Sequence, residues 1–209
     1  MAKYTDSKCK ICRRAGEKLM LKGDRCNSVK CAMVKRNFPP GFHGPKGKKR
    51  PTDYGMQLNE KQKAKRQYNM LEKQFRLTFD KALSQTGNTG DIFLQYLEMR
   101  LDSVIYNIGI ASSRSQARQM INHGHFEVNG VKTDIPSFAT KTGDIITISK
   151  TKQNAKPFKG LSEKLAKKDV PGWINLDAKK MTAKVLHKPD VKTLKPNFNI
   201  QMVIEYYSK

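Results

Sequence analysis

The sequence predicts an α+β protein that begins with a basic, cysteine-containing arm. Apolar residues recur every three or four positions within residues 59–84 and again within 92–107, which predicts helices. Short apolar runs flank Asn129-Gly130, a dipeptide typical of a tight β-turn, which predicts strands. No apolar run approaches the roughly 18 residues of a membrane span. The N-terminus also lacks the apolar stretch of a secretory signal.

Residues 1–57 form the predicted arm. Glycine and proline recur so often within residues 38–51 that no regular element is expected there. We expect an extended arm that becomes ordered on an anionic partner, and a disordered tail is the alternative.

All four cysteines lie in this arm, as the pairs Cys9 and Cys12, then Cys26 and Cys31. Two close thiolate pairs brought together by a loop satisfy tetrahedral zinc and leave no position for water, which predicts a structural zinc ion. Free thiols, an iron–sulfur cluster and a partial disulfide are the alternatives. Basic residues close to the cysteines are expected to offset the thiolate charge: Lys8, Lys10, Arg13, Arg14, Arg25 and Lys30.

Residues 59–84 are predicted to be one helix, or two with a break near Asn69. Asn59 is the expected N-cap. The apolar stripe is expected in the core: Tyr68, Leu71, Phe75 and Phe79. The basic residues are expected on the remaining surface, either solvated or against phosphates: Lys61, Lys65, Arg66, Lys73 and Arg76.

Residues 92–122 are predicted to form two helices, the first ended by Gly109 and the second capped by Ser113. Gln116 stands at the spacing of a capping box. Arg114 and Arg118 are one turn apart, so we expect them on one exposed face, where each guanidinium can fork onto a phosphate. A normal solvent face is the alternative.

The remaining elements are short. A hairpin is predicted from residues 126–128 and 131–133, and a further strand from residues 144–149. A short helix is predicted near residues 161–168, and the alternation of MVIEYY predicts a strand at residues 202–207.

The charge predicts a polyanionic partner. Forty-one basic and 18 acidic residues give a net charge of +23. The repulsion among these cations destabilises the protein unless an anionic partner neutralises them, which favours nucleic acid as the partner. Residues 1–60 carry a net +10, residues 61–90 +5, residues 91–150 zero and residues 151–209 +8. We therefore expect a cytoplasmic, nucleic-acid-bound protein without a membrane anchor.

Three stretches resemble the RNA-binding module named after small-subunit ribosomal protein four: RLDSV at 100–104, SRSQARQ at 113–119, and HGH at 123–125 followed by VNG. Because the same module occurs in pseudouridine synthases, tyrosyl-tRNA synthetases and small heat-shock RNA-binding proteins, it does not settle the function alone. The flanks resemble the ribosomal family itself, in its bacterial, zinc-binding form: the four cysteines, the Gly/Pro arm, LNEKQKAKR at 58–66, LEKQF at 71–75, WINLD at 173–177 and IEYYS at 204–208.

The resemblance implies a non-enzymatic role in the small ribosomal subunit. Members of the family bind the 5′ domain of small-subunit rRNA at a multi-helix junction, early in assembly, and influence decoding accuracy. The implied neighbours are ribosomal proteins three, five and twelve, and the mRNA where it enters the ribosome. The basic stretch that matches the mRNA contact is Lys46, Lys48, Lys49 and Arg50. In the module, the candidate RNA-binding residues are Arg100, Ser113, Arg114, Gln116, Arg118, Gln119, His123 and Lys132.

The implied architecture is a helical rRNA-binding domain, residues 58–93 with 151–209, into which the module at 94–150 is inserted. Two rivals remain. An RNA-modifying enzyme would need a separate catalytic domain, and a zinc-containing DNA-binding regulator would need a groove-reading helix. The spread of positive charge over separate surfaces favours RNA.

Overall fold

The computed structural model of the chain describes residues 4–47, 50–152, 155, 158, 160–166, 168–178, 180–191, 193–194 and 196–208. The helices are α1 (Lys8–Ala15), α2 (Asp24–Asn27), α3 (Ala32–Lys35), α4 (Asp53–Gln67), α5 (Glu72–Leu83), α6 (Thr89–Glu98), α7 (Leu101–Ile108), α8 (Arg114–Asn122), α9 (Leu161–Ala166) and α10 (Ile200–Tyr207). The strands are β1 (Phe126–Val128), β2 (Val131–Thr133), β3 (Ile145–Ile148), β4 (Ile174–Asp177) and β5 (Thr182–Val185).

The chain divides into two compact units. The first consists of residues 1–93 with 195–209, and the second of residues 94–194. Among the residues that the structure describes, none of the helices combines the length and apolarity that a bilayer crossing needs.

Aromatic side chains form the core of the first unit. Phe75 and Phe79 of α5 meet the Phe93 ring edge-to-face, with centroids 5.1 and 5.5 Å away. Tyr207 of α10 lies 4.8 Å from Phe79. Such pairs add to the free energy gained from burying the rings. The predicted apolar stripe is confirmed at Phe75 and Phe79, whereas Leu71 is 43% exposed.

The break between α4 and α5 is confirmed, and the start of α4 is corrected. Asn69 has a left-handed φ of 53°, which ends the first helix. That helix begins at Asp53 rather than Asn59, because the Thr52 hydroxyl accepts a hydrogen bond from the Gly55 amide at 3.2 Å. Threonine is a good N-cap, and the acidic Asp53 suits the first turn.

The strand predicted at residues 202–207 is wrong, because this segment forms α10. Ile200, Val203, Ile204 and Tyr207 also follow a helical i, i+3, i+4, i+7 pattern, which a six-residue window hides. Asn199 caps the helix by accepting a hydrogen bond from the Gln201 amide at 2.9 Å.

The single helix predicted over 92–107 is also wrong. It is divided into α6 and α7 at Arg100, which forms an isolated bridge with Ala139. The Thr140 amide donates to the Met99 carbonyl at 2.9 Å, so the later loop takes over hydrogen bonds that a continuous helix would make. Gly109, with φ at 97°, ends α7 as predicted.

A five-stranded antiparallel sheet in the order β2-β1-β3-β5-β4 forms the second unit together with its helices. The hairpin of β1 and β2 around Asn129-Gly130 is confirmed. Strand β5 pairs with β3, placing Ala183 opposite Ile146. Residues 174–185 therefore belong to the second unit, whereas we expected residues 151–209 to belong with the helical domain. How the segments share RNA binding stays a prediction.

The core of the second unit lies between this sheet and the module helices. Ile105 of α7, Ile121 of α8 and Val185 of β5 are fully buried in one cluster with Phe126 and Trp173. The core fixes α8 relative to the sheet. Six of the eight candidate RNA-binding residues of the module lie at the cap of α8, along it or directly after it, while Arg100 precedes α7 and Lys132 is on β2.

Phe79→Ala is expected to lower the free energy of unfolding by about 3–5 kcal/mol, because it removes a core ring. Leu77→Ala is the matched control on the same helix, since Leu77 is 59% exposed and Phe79 only 2%. The control should change stability by less than about 0.5 kcal/mol. Urea denaturation followed by circular dichroism measures both, and equal losses would contradict this packing.

Candidate RNA interface and cysteine cluster

The N-terminus of α8 is capped as predicted, but its capping box is displaced by one residue. Ser113 Oγ accepts a hydrogen bond from the Gln116 amide at 3.3 Å. The Gln116 side chain reaches back past Ser113 and accepts from the Ser112 amide at 2.9 Å and the Ser112 hydroxyl at 2.8 Å. The reciprocal bonds orient the start of the helix.

Asp102 lies between two arginines in the interior of the second unit. Arg100 donates to it from Nε at 3.0 Å and from a terminal nitrogen at 2.9 Å, a bidentate arrangement. Arg118 forms an ion pair with the same carboxylate at 3.6 Å. Asp102 and Arg118 are each 1% exposed, so this is a buried Arg–Asp–Arg group.

Arg114 is held by a second buried acid. Its guanidinium donates to Glu98 at 3.0 Å and to the Ser103 hydroxyl at 3.2 Å. It also lies 4.7 Å from the centre of the Tyr106 ring. Asn107 donates to the other Glu98 oxygen at 2.6 Å. Through Arg114, helix α8 therefore contacts both α6 and α7.

The prediction that Arg114 and Arg118 share an exposed face is therefore wrong. Arg118 is in the core, and the Arg114 side chain is 10% exposed. The physical reason is that Glu98 and Asp102 satisfy guanidiniums that the helical pattern alone would place in solvent. The signal that could have found this is the pair of acids standing close to Arg100 in sequence. Any contact of these arginines with RNA stays a prediction.

Four other predicted RNA-binding residues of the module are exposed: Gln116, Gln119, His123 and Lys132. The Lys132 side chain lies across the turn after α8, since a Cβ on Gly124 would come within 2.5 Å of Lys132 Cε. Gly124, with φ at +65°, suits the turn, because a side chain there would be strained, whereas the flexible end of Lys132 could move aside.

The His123 and His125 rings are stacked 6.0 Å apart beside this turn. Burial lowers the pKa of His125, and the neighbouring His123 and Lys152 lower it further, so the His125 ring is neutral near pH 7. We call Gln119, His123 and Lys132 the module surface.

In the first unit, the five predicted basic residues divide into two groups. Lys73 and Arg76 are exposed on α5. Lys61 is only 4% exposed and Lys65 is partly buried, which corrects the expectation of an exposed basic face on α4. Arg66 is partly buried, and burial together with the nearby Arg14 lowers its pKa.

Glu72 explains why α4 buries its lysines. It accepts hydrogen bonds from Lys61 at 2.6 Å, from Lys65 at 2.7 Å and from the Tyr207 hydroxyl at 2.8 Å. Partial burial opposes ionisation of Glu72, but these three donors outweigh it and lower the pKa to about 2. Lys61 also lies 4.7 Å from the centre of the Tyr206 ring. The C-terminal helix α10 is therefore fastened to α4 and α5 by a charged network.

The described part of the arm is folded. Arg13 donates to the Phe38 carbonyl at 2.9 Å and to the Pro39 carbonyl at 3.3 Å, which holds the Gly/Pro segment against α1. A short 310 turn at Gly44–Lys46 corrects the expectation of no regular element there. Lys46 and Arg50 of the predicted mRNA-contacting stretch are exposed, and Lys48 and Lys49 lie outside the described residues.

All four cysteines line one cavity of about 20 Å³, which we call the cysteine cavity. Cys9 and Cys12 lie on α1, Cys26 on α2, and Cys31 directly before α3. They are free thiols. The Lys22 amide donates to Cys26 Sγ at 3.3 Å. Within the described ranges, no group of three or more His, Cys, Asp or Glu side chains is already arranged to hold a metal ion.

The environment of Cys12 favours its neutral form in the absence of a cation. Burial raises the pKa of the Cys12 thiol, a backbone hydrogen bond with Leu19 opposes this, and the other three cysteines raise the pKa further. A cavity of this size accommodates about one water-sized sphere, so it can also accommodate a single ion.

Asp102→Asn is expected to cost about 3–5 kcal/mol of folding stability, because it leaves Arg100 and Arg118 buried without their counter-charge. Asp134→Asn is the matched control, since Asp134 is exposed in the same unit. Urea denaturation measures both variants. Equal free energies of unfolding for the two variants would show that the buried Arg–Asp–Arg group does not stabilise the fold. Substitution of Arg114 or Arg118 would likewise leave a buried acid without its partner. Such variants would lose folding stability, so a loss of RNA binding could not be assigned to a lost RNA contact.

Two family models match the chain. The model described as "Ribosomal protein S4/S9 N-terminal domain" matches residues 3–98, and the model described as "S4 domain" matches residues 99–146. Together they cover the first unit up to α6 and the module up to β3.

Full-length relatives align along the whole chain. The small ribosomal subunit protein uS4 of Syntrophomonas wolfei is 48% identical over 209 residues, covering 100% of both chains. The protein uS4A of Alkaliphilus metalliredigens is 50% identical and uS4 of Thermus thermophilus 45% identical, again over 209 residues and 100% of both chains. The resemblance seen in the sequence is confirmed: the chain belongs to the family of the small ribosomal subunit protein uS4.

Proposed function

We propose that this protein is a structural constituent of the small ribosomal subunit that binds its rRNA. One observation carries the proposal: relatives named as small ribosomal subunit proteins align with the whole chain over their own full length. The excess of basic residues supports RNA as the partner, since neutralising phosphates releases condensed counterions.

The exposed residues suggest where the rRNA binds. The module surface of Gln119, His123 and Lys132 presents hydrogen-bond donors and a cation at the turn after α8. Lys73 and Arg76 on α5 add cations in the first unit. A-form RNA is contacted mainly through phosphates and 2′-hydroxyls, which amide, imidazole and ammonium groups can bind. The buried arginines act indirectly, because they hold α8 against α7.

The finer functional assignments extend this proposal. We propose that the protein binds the 5′ domain of the rRNA at its multi-helix junction, contributes to early assembly and supports decoding accuracy beside ribosomal proteins three, five and twelve. Lys46 and Arg50, exposed on the arm, are suited to touch the backbone of incoming mRNA. These assignments place the protein in the cytoplasm, within the ribosome.

An RNA-modifying enzyme with an appended module is the weaker alternative. The relatives with the ribosomal name cover 100% of this chain and are covered 100% by it, so the similarity to the ribosomal family extends over the whole chain. An RNA-modifying enzyme of this kind would dissociate from the small subunit at moderate salt, whereas a ribosomal constituent would co-sediment with it.

We further propose that the cysteine cavity binds one structural zinc ion. Four sulfur ligands suit zinc, and together they would close the coordination sphere to water. The four thiols must lose protons and turn toward one point, and a divalent cation supplies the charge that favours the thiolates. Lys8 and Lys22, which line the cysteine cavity, would offset the net negative charge of such a site.

His123→Ala with Lys132→Ala is expected to weaken binding to a 5′-domain rRNA transcript by about 1–3 kcal/mol, because both side chains belong to the module surface. Lys141→Ala with Thr142→Ala is the control, since both residues are exposed elsewhere in the same unit. Filter binding at fixed salt compares the two pairs. If the control pair lost as much affinity, the module surface would not be the contact.

The purified protein is expected to carry one zinc ion per chain, and Cys12→Ser is expected to lose it. His43→Ala is the control, because His43 is exposed and does not line the cysteine cavity. Mass spectrometry of the metal, with circular dichroism to check folding, gives the measurement. A zinc-free wild-type protein that folds normally would reject the zinc site.

A further inference from the structure

The turn between β1 and β2 contains the one Asn-Gly pair of the sequence, Asn129-Gly130. Asparagine before glycine is prone to deamidation, because glycine has no side chain to keep its backbone nitrogen away from the asparagine side chain. The Gly130 nitrogen attacks Asn129 Cγ, and the side-chain nitrogen leaves as ammonia with the Gly130 proton. Water then opens the resulting succinimide ring to aspartate or isoaspartate. The reaction consumes one water and needs no other reagent.

In the folded hairpin, both polar atoms of the Asn129 side chain are bonded to residues where β3 begins. Nδ2 donates to Asp144 Oδ1 at 2.9 Å, and Oδ1 accepts from the Ile145 amide at 2.9 Å. The Asn129 backbone amide also donates to the Ile145 carbonyl at 2.9 Å. Attack by Gly130 requires the Asn129 side chain to turn toward its own backbone, and that rotation breaks both side-chain bonds.

Asp144 is itself held in place. Its second carboxylate oxygen accepts from the Lys141 amide at 2.7 Å, and its carbonyl accepts from the Val185 amide at 3.0 Å. A charged acceptor fixed in this way forms a stronger hydrogen bond than a neutral one. Asn129 is exposed, so water reaches it freely. The hydrogen bonds to β3, and not burial, therefore restrain the side chain.

We propose that Asn129 is a latent deamidation site, which its contact with Asp144 keeps unreactive in the folded protein. The reaction proceeds while the hairpin is separated from β3, as in a chain that has not yet folded. The product cannot re-form the contact, because its new carboxylate has no N–H to donate and repels Asp144. Deamidation thus turns time spent unfolded into a lasting loss of stability. The inference concerns the module's fold and does not rest on RNA binding.

The first test follows deamidation of the full-length protein at mildly alkaline pH, by mass spectrometry of the tryptic peptide of residues 119–132. Asn122 is exposed in the same peptide and serves as the internal reference. Asn129 in the folded wild-type protein should react at least about tenfold more slowly than in the urea-unfolded protein. Asp144→Ala should remove most of this protection in the folded protein, because it removes the charged acceptor.

Asp134→Ala is the matched control, since Asp134 is exposed in the same unit, and it should leave the rate at Asn129 unchanged. In urea all three proteins should react at one rate, and circular dichroism checks that each is folded without it. A folded wild-type protein that reacts as fast as the unfolded one would overturn the inference. A folded Asp144→Ala protein that reacts as slowly as the wild type would do the same.

The second test measures the contact itself and decides the matter if Asp144→Ala does not fold. Asn129→Asp should lower the folding equilibrium constant about tenfold in urea denaturation, since it places two carboxylates together. Adding Asp144→Asn should restore most of this loss, because the exchanged pair again joins one amide to one carboxylate. A double variant that showed only the sum of the two single effects would refute the Asn129–Asp144 contact and the protection with it.

Discussion

Electrostatic self-repulsion is the constraint that the rest of this structure accommodates. Forty-one basic side chains share one chain with only 18 acidic ones, so most cations cannot have a carboxylate partner. Two carboxylates are placed where burial of a cation would otherwise be costly. Glu72, whose side chain is 44% exposed, accepts from the buried Lys61 and the partly buried Lys65, and the buried Asp102 contacts two buried arginines. Each of these acids therefore stabilises two cations and joins the helices that carry them.

The module (residues 94–150) and the arm use their charges differently. In the module, Arg100, Arg114 and Arg118 are all paired with Asp102 or Glu98, in agreement with the net charge of zero over residues 91–150. In the arm, residues 1–60 carry a net +10. Internal pairing joins the helices of the module, whereas the excess cations of the arm would attract a polyanion. In the proposed function, orientation and affinity would then come from different parts of the chain.

Local chemistry made several elements predictable from the sequence. The Ser113 cap, the Gly109 helix end and the Asn129-Gly130 turn each depend on one or two residues, and all three are confirmed. Other features depend on tertiary contacts, which sequence patterns do not show. Helix α10 depends on packing against α4 and α5, and the division at Arg100 depends on a loop that follows more than 30 residues later. The burial of Arg118 likewise depends on Asp102 in another helix, so helical periodicity alone assigned it to the wrong face.

The short helices of the arm connect the zinc proposal with the basic side chains around the cysteines. Helices α1 and α2 carry three of the four cysteines and Cys31 directly precedes α3, while Arg13, Arg25 and Lys35 lie on the same three helices. Helices α2 and α3 are four residues each, too short to be stable alone, so the contacts at the cysteines must hold them in place. An ion that joined the four sulfurs would fix the spacing of Arg13, Arg25 and Lys35 before RNA arrives, and so lower the entropy lost on binding. Linkage is reciprocal, so RNA bound to these three cations would in turn retain the ion.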